Sequence, residues 1–230
     1  MTCKICKSES YFWGCVDINK SCEEINNTIM PYKGQAIYYK KCTNCGFLFS
    51  NDFDQWVKDD FMRNIYNEDY IKVDPEYDGR RSQRDAHWFM QFCPEKRYSI
   101  LDYGSGNRVF GNTLRQFGYD IDSWDPMDGT PKPDKQYQIM TCFEVLEHTP
   151  TPIETLAEMS SLLHPNGQII FSTLVNEELK GKRDPMYWYL APRNGHVCMH
   201  SFASLDLMFA LFGFTVKHLN TSQHIAHKTS

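Results

Sequence analysis

The sequence of 230 residues predicts an α/β protein in which a doubly wound, mostly parallel sheet follows a small cysteine-rich module. Three observations support this fold class. Two C-x-x-C pairs stand in the first 50 residues, a strand runs into a glycine-containing loop near residue 104, and apolar strands then alternate with amphipathic helices. Hydrophobic residues make up 41% of the chain, which suffices for one full-sized domain with a small appendage.

The cysteine-rich module is predicted to span residues 1–50. Its two pairs are Cys3 with Cys6 and Cys42 with Cys45. Each pair can direct two thiolates at one ion, and four thiolates complete the tetrahedral site that structural zinc prefers. Gly46 permits the tight turn after the second pair, and the alternating segment 36–40 fits a short strand. We therefore predict a zinc ribbon with a structural zinc ion. Ordinary thiols or a redox pair are the alternative.

Residues 51–97 are predicted to form a helical linker that covers the ligand cleft. Apolar residues at helical spacing predict one helix over 54–65 and a second over 80–92, which Pro94 ends.

Residues 98–220 are predicted to form the main domain, and residues 221–230 a tail. The predicted strands of the main domain are 98–101, 119–125, 137–143, 168–173 and 214–219. The predicted helices between them are 109–117, 152–163 and 205–212. Strands that alternate with helices imply a mostly parallel sheet.

The loop after the first of these strands begins with Asp102 and continues through Gly104 and Gly106. A strand, a glycine loop and a helix bring backbone close to a nucleotide in α/β proteins. A phosphate would be met by backbone N–H groups and a cation, so the leading carboxylate favours a ligand with an ammonium or sulfonium group. Asp125 ends the next strand, where an acid accepts hydrogen bonds from ribose hydroxyls. The alternative for Asp125 is a surface carboxylate without a ligand.

Five segments in order carry a family resemblance. They are LDYGSGN (101–107), WDP (124–126), FEVLEHTPTP (143–152), LLHPNGQIIFSTL (162–174) and GHVCMHSFASLDLMFALFGF (195–214). Together they resemble a class I S-adenosylmethionine-dependent methyltransferase of the small-molecule type, over about residues 98–220. Some members of this family also have an N-terminal zinc-binding module. The resemblance implies a Rossmann-like sheet and S-adenosylmethionine as the cofactor.

The resemblance also implies roles for individual residues. The implied cofactor-binding residues are Asp102, Gly104, Ser105 and Gly106 at the methionine end, Asp125 at the ribose, Pro126 and Met127 beside the adenine, and the backbone of Phe143 and Glu144 near the amino group. Two features depart from the family pattern. Asn107 replaces the usual third glycine, and only 11 residues separate Asp125 from Tyr137. We therefore expect the sheet to be one strand short at this point.

Methyl transfer to an oxygen of high pKa needs a nearby base, and histidine titrates in the right range. His148 and His196 are the candidate catalytic residues, and a packing role is the alternative for each. The long segment 175–200 is expected to lie over the acceptor pocket, with an aromatic and basic lining from Tyr187, Trp188, Tyr189 and Arg193. The expected acceptor is a small polar metabolite such as a sugar, a sugar nucleotide or a related biosynthetic intermediate.

Composition bears on partners and location. The net charge of −5 disfavours a nucleic-acid partner, since such binding neutralises phosphates. No apolar run approaches the ~20 residues of a membrane span, and the N-terminus lacks the apolar run of a secretory signal. We therefore expect a cytoplasmic protein without a membrane partner. The alternatives are an RNA methyltransferase, or a non-catalytic binding protein with this fold that docks a partner through the zinc ribbon.

Overall fold

The computed structural model describes residues 2–179 and 181–228. Its strands are β1 (Ser10–Asp17), β2 (Ala36–Cys42), β3 (Leu48–Ser50), β4 (Ser99–Tyr103), β5 (Asp120–Trp124), β6 (Tyr137–Phe143), β7 (Leu163–Ser172), β8 (Cys198–Met199), β9 (Phe214–His218) and β10 (Gln223–Lys228). Its α-helices are α1 (Lys58–Asn64), α2 (Tyr70–Val73), α3 (Arg80–Phe92), α4 (Val109–Gln116), α5 (Pro152–Ser161) and α6 (Phe202–Ala210).

The main sheet has six strands in the order β5-β4-β6-β7-β10-β9. Strands β5, β4, β6 and β7 are parallel, and β10 is antiparallel to both of its neighbours. The predicted mostly parallel α/β sheet is therefore confirmed. Strand β5 forms an edge, since the short loop of residues 125–136 adds no strand beyond it among the described residues. The sheet is thus one strand short where the sequence predicted it.

Both faces of the main sheet are buried, as a doubly wound sheet requires. On one face, Phe89 of α3 and Leu114 of α4 belong to a core with Ile100, Ile121 and Ile139. The neighbouring positions in the strands point to the other face, where Leu101, Met140 and Phe171 belong to the core that contains α5 and α6. This alternation explains why the strands read as continuous apolar runs.

The predicted tail is wrong, because residues 223–228 form strand β10 inside the sheet. Ile225 pairs with Ile170 of β7 and with Lys217 of β9, and it is 5% exposed. Other element boundaries also differ from the predicted ones. Helix α1 begins at Lys58, helix α5 ends at Ser161, helix α6 spans Phe202–Ala210, and β7 begins at Leu163, before its predicted start at residue 168.

The second sheet is antiparallel and has the order β1-β2-β3-β8. Its first three strands come from the cysteine-rich module, while β8 comes from the segment that follows β7, the fourth strand of the main domain. Leu48 pairs with Met199 and Phe49 with Cys198. One continuous apolar core contains buried residues of both sheets, so the small module packs into the rest of the molecule.

The longest helix described, α3, has 13 residues. Within residues 2–179 and 181–228, no helix combines the length and apolar character that crossing a bilayer requires.

Candidate functional site

A cavity of about 1070 Å³ opens at the carboxyl ends of β4, β5 and β6. Tyr66, Arg81 and Asp85 of the linker form one wall, and Trp188 and Tyr189 form another. Every residue predicted to bind the cofactor or to act in catalysis lines this cavity: Asp102, Gly104, Ser105, Gly106, Asp125, Pro126, Met127, Phe143, Glu144, His148 and His196. Ligands of open α/β sheets bind at this edge.

The Asp102 carboxylate is 4% exposed, and burial raises its pKa to about 7. Its Oδ1 accepts a hydrogen bond from Thr141 Oγ1 at 3.3 Å, while its Oδ2 has no hydrogen-bond partner among the described residues. A buried carboxylate oxygen without a partner is costly. The arrangement therefore fits a cationic group of a ligand in the cavity.

The loop after Asp102 has a conformation that depends on its glycines. Gly104 has φ +70°, and a Cβ there would lie 2.5 Å from Val145 Cγ2. Gly106 has φ +46° and faces open space. Asn107, which replaces the family's third glycine, donates from Nδ2 to the Tyr77 carbonyl at 2.8 Å and so ties the loop to the linker.

Asp125 accepts two backbone hydrogen bonds. The N–H of Gly106 donates to Oδ2 at 2.9 Å, and the N–H of Met127 donates to Oδ1 at 2.7 Å. The carboxylate thereby holds the glycine loop beside the 126–128 segment. A carboxylate has more acceptor lone pairs than these two hydrogen bonds use, so Asp125 can still accept hydrogen bonds from ligand hydroxyls.

At the far end of the cavity, Glu144 lines the wall and Glu147 lies buried behind it, and both carboxylates contact Tyr189. The Tyr189 hydroxyl donates to Glu147 Oε1 at 2.6 Å and lies 3.4 Å from Glu144 Oε2. Ser172 Oγ donates to Glu144 Oε1 at 2.7 Å. Burial, and then the nearby Glu147, raise the pKa of Glu144 to about 7.

Two histidines complete this end, of which His196 is buried and His148 is partly buried. The rings of His148 and His196 lie edge to face with centroids 5.0 Å apart. His196 Nδ1 lies 2.8 Å from the Tyr189 carbonyl. A carbonyl only accepts, so Nδ1 carries the proton and Nε2 is left with a lone pair. Burial lowers the pKa of both histidines, which are therefore neutral at pH 7.

Part of the expected acceptor lining is wrong. Trp188 and Tyr189 line the cavity, but Arg193 donates instead to the Ile65 carbonyl and to Asn67 Oδ1, and Tyr187 bonds Glu178. Sequence reasoning also missed Glu147 as a site residue. Its position in the sequence, directly before His148 and three residues after Glu144, could have indicated a site residue. Its contact with Tyr189 arises only in the folded chain.

The four cysteines of the predicted zinc site cluster in space. Cys3 Sγ lies 3.7 Å from Cys45 Sγ, and Cys6 Sγ lies 3.4 Å from Cys42 Sγ. All four sulfurs lie within 4.8 Å of one another. Thiolates at Zn–S bonds of ~2.3 Å in a tetrahedron stand about 3.8 Å apart, so the cluster fits zinc.

The glycine loop, the buried acid before it and the acid at the end of β5 form the arrangement with which proteins of the α/β class bind nucleoside-containing ligands. Residues 77–219 match a methyltransferase domain family, and the chain belongs to it. The methyltransferase domain that the sequence predicted is therefore confirmed.

Individual relatives are similar over shorter stretches. The ubiquinone biosynthesis O-methyltransferase of Albidiferax ferrireducens is 25% identical over an alignment of 114 residues, and the match covers 38% of this chain and 45% of that protein. The protein of the same name from Pasteurella multocida is 47% identical over 47 residues, 20% of this chain and 19% of that one. The chain thus spans less than half the length of these curated relatives.

Among solved structures, an O-methyltransferase family protein from Burkholderia thailandensis superposes with a TM-score of 0.53 and 12% sequence identity. The match covers 75% of this chain and 59% of that chain. At this identity the likeness supports the fold alone.

Proposed function

We propose that the protein transfers the methyl group of S-adenosylmethionine to a hydroxyl of a small polar metabolite, such as a sugar, a sugar nucleotide or a related biosynthetic intermediate. One observation carries the proposal: a single cavity joins the glycine loop to the pair His148 and His196. The O-methyltransferase names of the relatives support an oxygen acceptor.

The cofactor-binding role is proposed residue by residue. The unpartnered oxygen of Asp102 would receive the ammonium of the methionine part, over the loop of Gly104, Ser105 and Gly106. Asp125 would accept from the ribose hydroxyls. Pro126 and Met127 would flank the adenine, and the backbone of Phe143 and Glu144 would approach the amino group.

When bound, the cofactor supplies a sulfonium-activated methyl group, so the protein mainly orients the acceptor in line with it. The acceptor hydroxyl must lose its proton as oxygen bonds to the methyl carbon. The neutral Nε2 of His196, or a ring nitrogen of His148, would take that proton, because both side chains line the cavity. The cysteine cluster would hold zinc in a structural role.

The experiment is transfer of radiolabelled methyl from S-adenosylmethionine to panels of sugars, sugar nucleotides and dihydroxyaryl acids. We expect transfer to one class, and its loss in His196→Gln with cofactor affinity retained. His227→Ala, an exposed imidazole outside the cavity, is the matched control. Methylation of RNA alone would contradict the proposal, and so would cofactor-independent binding of a macromolecular partner without any transfer.

A further inference from the structure

The acceptor end of the cavity, together with the buried Glu147 behind its wall, holds more ligating atoms than proton removal requires. Glu147, His148 and His196 each present one oxygen or nitrogen atom, and these atoms lie within 4.8 Å of one another. Glu147 is 0% exposed and His196 is 6% exposed. Oε2 of Glu147 has no hydrogen-bond partner among the described residues. A buried, unpartnered carboxylate oxygen beside two imidazoles calls for a positive charge.

Tyr189 orients two of these three side chains. Its hydroxyl donates to Glu147 Oε1 at 2.6 Å, and its carbonyl accepts from His196 Nδ1 at 2.8 Å. Oε2 of Glu147 and Nε2 of His196 are thereby left for another partner. The Tyr66 hydroxyl lies 3.3 Å from His148 Nδ1. Hydrogen bonds of this kind behind the ligating atoms are what fixes ligand orientation at metal sites.

The backbone holds the same pieces together. The N–H of Val197 donates to the Glu147 carbonyl at 2.9 Å, and the N–H of His148 donates to the Val145 carbonyl at 3.0 Å. Gly195 has φ +87°, and a Cβ there would lie 2.9 Å from His148 Nδ1. The glycine therefore lets the segment that carries His196 approach His148.

We propose that Glu147, His148 and His196 bind one divalent first-row transition-metal ion, with its open coordination positions facing the cavity. Two imidazoles and one carboxylate suit manganese, iron, cobalt or zinc better than calcium or magnesium, which prefer sets of oxygen ligands. The thiolate cluster of the zinc ribbon has a different ligand set, so the two sites are distinguishable. This site goes beyond the proposed function, since cation binding does not depend on methyl transfer.

A cation at this position would change the acidity of the acceptor hydroxyl. A hydroxyl that occupies an open coordination position has a lowered pKa, and its proton is released to solvent. In the metal-loaded protein the two histidines would serve as ligands and water or buffer would take the proton, whereas in the metal-free protein a histidine would take it directly. A pair of adjacent hydroxyls could occupy two open positions, so the site favours vicinal diols and catechols among polar acceptors.

The test is titration of the zinc-loaded protein with Mn²⁺, followed by the electron paramagnetic resonance signal of free Mn²⁺. Mn²⁺ prefers oxygen and imidazole ligands, so it leaves the thiolate site to zinc. We expect one bound Mn²⁺ whose spectrum shows coupling to histidine nitrogen. Glu147→Gln and His196→Ala should each weaken binding by at least about tenfold, and Tyr189→Phe by about tenfold. His227→Ala should leave it unchanged.

The outcomes separate cleanly. Absence of bound Mn²⁺, binding without nitrogen coupling, or equal binding in Glu147→Gln and His196→Ala would each overturn the site. Cofactor affinity, measured on the same samples by calorimetry, shows that each variant is folded. The nitrogen coupling tests histidine ligation in the unmodified protein and therefore does not depend on any variant folding. If Mn²⁺ binds as expected while no acceptor is methylated, the cation site stands and the proposed function fails.

Discussion

The two acids of the cofactor loop occupy different environments, and this difference decides how each one can be tested. Asp102 is buried with one oxygen unpartnered, whereas Asp125 accepts two backbone hydrogen bonds at the rim of the loop. Cofactor affinity should therefore depend on the ionisation state of Asp102. At Asp125 it should depend on whether the side chain can accept hydrogen bonds.

Asp102 should make cofactor binding depend on pH. Burial raises its pKa to about 7, so the free protein holds this group protonated in mildly acidic solution. Only the carboxylate attracts an ammonium group, so affinity for S-adenosylhomocysteine should rise between about pH 5.5 and pH 7, approaching tenfold per unit. Calorimetry checks this. Asp102→Asn should bind weakly with a flat pH profile, and an unchanged slope in that variant would contradict the role.

The same group should affect stability without ligand. Because its pKa is raised on folding, the folded state retains a proton that the unfolded state releases above about pH 4. The stability of the cofactor-free protein should therefore fall as pH rises from about 4 to 7, and the cost is fully present above 7. Urea unfolding of Asp102→Asn should show greater stability than the unmodified protein at pH 8, with the difference vanishing toward pH 4. A difference that grows at low pH would refute it.

Asp125→Ala should weaken cofactor binding by ~1–3 kcal/mol, as expected for lost charge-assisted hydrogen bonds to the ribose. Asp120→Ala is the matched control, since Asp120 is exposed at the start of the same strand and does not line the cavity. Calorimetry with S-adenosylhomocysteine measures both. Equal affinities for the two variants would rule out the ribose role.

At the scale of elements, the glycine loop is a steric requirement as well as a conformational one. Gly104 and Gly34 have φ +70° and +75°, but only Gly104 has a neighbour, Val145, within contact distance of an added Cβ. Gly34→Ala should cost only the ~1–2 kcal/mol of the left-handed backbone. Gly104→Ala should cost more in urea unfolding and also reduce cofactor affinity. Similar costs for both would mean that Val145 moves aside freely.

Local signals predicted some elements fully and others only in outline. Helix α3 and strand β6 match their predicted bounds, because each has a strong period and a clear stop. Strand β10 was missed, since His224 and Ala226 are buried only through pairing with β7 and β9, a non-local effect. The same limit applies to the site. Spacing pointed to Asp102 and Asp125, whereas the contact of Glu147 with Tyr189 exists only in the folded chain.

At the scale of the whole molecule, hydrogen bonds and strand pairing connect the cysteine cluster with the cavity. Ser201 Oγ donates to the Cys45 carbonyl, and Asn176 Nδ2 donates to the Gly46 carbonyl at 2.9 Å. Strand β8 pairs with β3, and the Tyr39 hydroxyl donates to the His196 carbonyl at 2.6 Å. The segment that carries His196 therefore rests on the module that the metal would organise.

Cys42→Ser should consequently reduce methyl transfer in the cavity as well as zinc binding and stability in the module. Structural zinc contributes folding free energy directly, and loss of ~3 kcal/mol in a chain of this size lowers Tm by about 6–12 °C. Mass spectrometry of bound zinc and thermal unfolding measure the two effects. Cofactor affinity should fall less than methyl transfer, because His196 contacts the module through Tyr39 while Asp102 lies on the main sheet.

Cys15→Ser, an exposed thiol outside the cluster, is the control. Full zinc content and unchanged Tm in Cys42→Ser would contradict the zinc site, and equal losses of affinity and transfer would contradict the connection through β8.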